Sequence, residues 1–126
     1  MKPANVFLEA RDPGPFIRLL DFGVAKVVRS GVTMTGEVGT PAWLAPEQMD
    51  RSREVPLATD VWAFGLVAFY LLTGHRFWRG AGFDVLIELM ADPYPSASQR
   101  ATELGVADRL PPGFDLWFSS CVVRMI

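Results

Sequence analysis

Apolar positions change their spacing along the chain, and those changes divide it into elements. "NVFL" and "FIRLL" are short apolar runs separated by "EARDPGP", in which Pro13 and Gly14 suit the central positions of a type II turn, so a β-hairpin ending at Asp21 is predicted. From Val24 to about Ala58 no helical period is sustained, and Gly, Thr, Ser and Pro recur. That predicts a long loop ordered by its contacts, and such loops inside compact domains are usually functional. Residues 61–72, "VWAFGLVAFYLL", are apolar on every side, the mark of a helix buried all round. Thr59 or Asp60 would cap its start, and Gly74 would end it in a left-handed turn. Phe83, Leu86, Ile87 and Met90 then fall at i, i+3, i+4, i+7, and Phe114, Trp117, Phe118, Cys121 and Val122 follow the same rule, predicting two amphipathic helices. The connector between them carries one short helix. The fold class is mainly α with a small β-hairpin, an α+β arrangement.

Composition narrows the function. Half of the 126 residues are apolar, so a sizeable core is available. Twelve basic residues against fourteen acidic give a net charge of −2 without a long single-sign run, which argues against nucleic acid or anionic lipid as partner. The longest apolar stretch is shorter than the ~18–20 residues of a bilayer span, and no secretion signal opens the chain. A cytoplasmic protein without a membrane span is expected. Cys121, the single cysteine, sits among large apolar residues and reads as core filler. His75 has no second ligand at metal spacing and reads as a solvated loop residue.

The candidate chemistry lies in ordered motifs. "DFG" at 21–23 stands sixteen residues after the Asn of "KPAN", and is followed by "GTPAWLAPE" at 39–47 and "DVWAFG" at 60–65. Asp-Phe-Gly alone is weak. In this order and at these spacings the set resembles the C-terminal lobe of eukaryotic-like serine/threonine protein kinases, a type also widespread in bacteria, with H-R-D-x-x-x-x-N, D-F-G and A-P-E as landmarks. The resemblance covers residues 1–126, from within the catalytic loop through the activation segment to a late helix of the lobe. It implies Mg²⁺ and ATP as cofactors and a protein as substrate or docking partner.

Phosphoryl transfer requires positioned cations around the spreading charge of the γ-phosphate, and Mg²⁺ takes oxygen ligands. By the resemblance, Asn5 and Asp21 would ligate Mg²⁺ and Lys2 would approach the γ-phosphate. Phe22 would pack inward, and Gly23 would act as the hinge for Asp21. Thr40 would bond the catalytic Asp and Lys, and with Lys2-Pro3 favours serine and threonine over tyrosine as acceptor. Thr33 and Thr35 are candidate phosphosites on the activation segment, where a phosphate needs a basic partner. "PAW" would form the floor under the substrate residue that follows the phosphoacceptor. Glu47 is the A-P-E glutamate, and Asp60 resembles a buried Asp that holds the catalytic loop's backbone N–H groups.

The same pattern places its catalytic Asp immediately before Met1, and no G-x-G-x-x-G occurs, so the N-lobe elements are absent. Nucleotide binding without an adenine pocket is expected to be about millimolar or weaker. Arg124 is not at the place of the Arg that pairs with the A-P-E glutamate. The 61–72 helix also expects cover from helices that these residues do not include, and each large uncovered side chain forfeits ~1.5–3 kcal/mol, so a partly folded, association-prone chain is expected. Three readings follow: a Ser/Thr kinase active only as an intact domain, a catalytically dead kinase-like docking module, and a truncated or mis-started product with no separate function.

Overall fold

The computed structural model describes residues 1–20, 41–49, 57–91 and 93–124. It is mostly helical with one two-stranded antiparallel sheet, as the apolar spacing predicts. Strands β1 (Val6–Glu9) and β2 (Phe16–Leu19) pair in the register Val6↔Leu19, Phe7↔Arg18, Leu8↔Ile17, Glu9↔Phe16. Their connector differs from the expected type II turn. Gly14 does not take a positive φ, which that turn requires at its second central residue, and the Asp12–Pro13 peptide is cis. Side chains close the hairpin instead. Arg18 Nε donates to Glu9 Oε2 (2.6 Å), Arg11 Nη2 lies 3.0 Å from Glu9 Oε1, and the Arg11 guanidinium stands over the Phe16 ring. Phe7, Leu8, Phe16 and Ile17 remain exposed, so the hairpin adds little to the core.

The core is built on α1 (Ala58–Thr73). Trp62, Leu66 and Phe69 point inward and meet Phe77, Trp78, Val85, Leu89, Phe114 and Phe118. The rings form a lattice. Phe69 and Phe77 meet edge to face at 5.3 Å, Phe77 lies 4.8 Å from Phe118, Trp62 stacks on Trp78 at 6.2 Å, and Tyr94 meets both indoles edge-on. Offset and edge-on pairs of this kind add to the area they bury. Gly74 ends α1 with φ 77° and returns its N–H to the Tyr70 carbonyl, as expected. Neither Thr59 nor Asp60 caps the start, because the N-cap is Leu57 without a side-chain bond. Nor is α1 buried all round: Val61 and Phe64 are each 46% exposed and Leu71 61%, so one apolar stripe is left uncovered by the described residues.

Helix α2 (Phe83–Met90) is rotated so that, of the face its spacing suggests, only Leu86 packs against the core. Val85 and Leu89 are buried, whereas Phe83 (75%), Ile87 and Met90 are exposed. Glu88 explains this orientation. Its Oε1 accepts the Gly80 N–H (2.6 Å) and its Oε2 accepts Arg100 Nη2 (3.1 Å), so the carboxylate is held against the protein, and Val85, three residues earlier, lies on the same side of the helix.

Helix α3 (Ala97–Glu103) opens with a Ser96–Gln99 capping box, which satisfies otherwise orphaned N–H groups. Helix α4 (Phe114–Cys121) buries Phe114 and Phe118 as predicted, whereas Trp117, expected on the same face, is 38% exposed. Asp115 joins the two helices by accepting from the Ser98 N–H (2.7 Å) and from the Ser98 hydroxyl. Cys121 packs against the core, and burial pushes its thiol pKa up, consistent with inert filler. His75 is exposed, as expected for a loop histidine. Among the described residues no helix is long and apolar enough to cross a membrane.

Two expected outcomes follow from this packing. At Gly65 a Cβ would stand 2.7 Å from Cys121 Cβ and 3.0 Å from Val122 Cγ2, so glycine is what lets α1 and α4 approach. Gly65→Ala gains helix propensity but overpacks this contact, and is expected to lower stability by about 1–2 kcal/mol net in urea unfolding; an unchanged or raised midpoint would contradict the packing. The second concerns Glu103, whose Oε2 receives Arg79 (2.6 Å) and Arg100 (2.8 Å). Desolvation pushes its pKa up, but hydrogen bonds and charge from Arg79 and Arg100 outweigh this and hold it below 4.5. A carboxylate with a depressed folded pKa stabilises above its unfolded pKa, and that contribution is lost as pH falls through the folded value. Glu103→Gln should therefore flatten the stability–pH curve below about pH 4.5 and leave the shape of its neutral limb unchanged. An acid limb identical to that of the unsubstituted chain would refute the assignment.

Candidate functional site

Pro3–Asn5 forms a 3-10 turn with Pro3 at its first position, where a missing N–H costs nothing. The Asn5 N–H closes on the Lys2 carbonyl (2.9 Å), and the Asn5 carbonyl accepts the Leu20 N–H (2.8 Å). Asn5 is thus pinned at the open end of the hairpin by its backbone. Its half-buried carboxamide makes no hydrogen bond to a described residue, and Lys2 is exposed without an ion pair to one. The turn packs beside α1. It therefore offers a hard oxygen and an ammonium on a fixed backbone, a donor set that suits Mg²⁺ and a phosphate. Among the described residues no group of His, Cys, Asp and Glu could hold a metal by itself.

A second segment lies along α1. In the segment with the turns Pro41–Trp43 and Pro46–Met49, Ala42 and the intervening Ala45 are buried, and the Ala45 N–H is held by Gln48 Oε1 (2.9 Å). Glu47 accepts from the buried Thr59 hydroxyl at 2.6 Å, and the Trp43 ring meets Tyr70 edge-on at 5.7 Å. Thr59 and Tyr70 are separated along the helix by about 16 Å at 1.5 Å per residue, so α1 fixes this segment at two well-spaced points.

Of the site residues expected from sequence, the structure thus places Lys2 and Asn5 on one turn and Glu47 on the Pro46–Met49 turn, bonded to Thr59 at the start of α1. Asp60 lies on the first turn of α1, but it is exposed and its carboxylate bonds to no described residue, which differs from the buried position expected. Asp21, Phe22, Gly23, Thr33, Thr35 and Thr40 lie outside the described residues. Glu47, expected to lack its arginine partner, has Thr59. Sequence reasoning missed that pairing because a threonine at a helix start signals a cap. Arg124 instead donates to the Leu89 (2.7 Å) and Ala91 (3.0 Å) carbonyls at the end of α2.

The family model of the protein kinase domain matches residues 1–106. The chain belongs to the protein kinase family. Its curated relatives include the serine/threonine-protein kinase Pkn1 of Myxococcus xanthus, 36% identical over 104 residues, covering 77% of this chain and 15% of the relative. The serine/threonine-protein kinase AfsK of Streptomyces coelicolor is 42% identical over 83 residues, covering 64% of the chain and 10% of the relative. Calcium-dependent protein kinase 2 of Arabidopsis thaliana is 32% identical over 112 residues, covering 82% and 17%. This kinase-family chain therefore spans less than a fifth of the length of the relatives it matches.

The Glu47–Thr59 bond is testable by a double-mutant cycle. Glu47→Ala and Thr59→Val should show a coupling energy of about 1–2 kcal/mol in equilibrium unfolding, since the acceptor is charged and the hydroxyl buried. Additive effects would mean that the bond contributes nothing to anchoring the 41–49 segment.

Proposed function

We propose that these residues form part of the C-terminal lobe of a serine/threonine protein kinase whose intact domain transfers the γ-phosphate of ATP to protein hydroxyls, and that the 126 residues by themselves transfer none. Asn5 and Asp21 hold Mg²⁺ in this reading. Lys2 neutralises the γ-phosphate, Phe22 and Gly23 set the position of Asp21, and Thr40 orients the acceptor side of the site. Thr33 and Thr35 are the candidate sites of activating phosphorylation. Mg²⁺ would supply the charge neutralisation that phosphoryl transfer requires, and the chain's own residues would position it. The cell compartment in this reading is the cytoplasm.

The observation that carries the proposal is the Asn5–Leu20 backbone bond (2.8 Å). It ties the Lys2–Asn5 turn to the strand that leads, along the chain, directly into Asp21-Phe22-Gly23. The donor set also fits: an otherwise unengaged carboxamide oxygen beside an exposed ammonium is what a magnesium–phosphate edge uses.

Manganese, which takes the same oxygen ligands, provides a paramagnetic test. Titrated with ATP into the labelled chain, it should broaden the Asn5 side-chain amide signals, and Asp21→Ala should abolish the effect. Labelled phosphate from ATP and Mg²⁺ should not appear on an acceptor protein above the Asp21→Ala background. Absence of broadening at Asn5 would overturn the metal assignment, and Asp21-dependent transfer would overturn the predicted inactivity.

A further inference from the structure

We draw no further inference here: the strongest candidate, the exposed apolar patch in which Phe64 on the outer stripe of α1 meets Trp117 of α4 edge-on at 5.7 Å, carries nothing because nothing in the structure shows what covers it.

Discussion

Burial of one side of α1 is the interaction on which the rest of the structure depends. Trp62, Leu66 and Phe69 present a ribbon of large side chains, and the later helices are arranged to cover it with Phe77, Val85, Leu89, Phe114 and Phe118. Apolar burial of this order is the main favourable term available to a chain of this size. The hairpin, whose large apolar residues stay exposed, takes almost no share in it. Both candidate segments instead borrow their rigidity from α1: the Pro3–Asn5 turn packs beside it, and residues 41–49 are held at Thr59 and Tyr70.

Polar groups complete what apolar packing leaves open, and arginine does most of it. Helix ends leave carbonyls without intrahelical donors. Arg109 supplies Thr73 at the end of α1 (2.7 Å), and Arg124 supplies Leu89 and Ala91 at the end of α2. Arg100 lies over the Phe77 ring while it binds Glu88 and Glu103, so a buried charge is both paired and stacked. Arg109 and Arg124 come from later in the chain than the helix ends they supply, so the ends of α1 and α2 gain these donors only when the C-terminal part folds against them.

Legibility in the sequence follows the range of the interactions. Local signals carried through: strand runs, the Gly74 helix stop, the short connector helix and the inward face of α4 all stand where spacing and turn chemistry put them. Misreadings arose where a distant partner decided. The octapeptide "FDVLIELM" has apolar residues on two faces, and Glu88, bound to Gly80 and Arg100, chose between them. Thr59 gave up a cap to bond Glu47, a residue remote in sequence and invisible to local reasoning. The site was legible as motif order, with Lys2 and Asn5 brought to one turn, while Asp60 stands exposed rather than buried.

An uncovered stripe on α1 and an exposed hairpin imply unequal stability within one chain, since protection follows buried contacts. Native-state hydrogen exchange measures this most directly. Amides of Trp62–Thr73 should be the slowest to exchange, with those of 6–9 and 16–19 faster by about two orders of magnitude or more. Hairpin amides as protected as those of α1 would contradict an architecture organised on that helix.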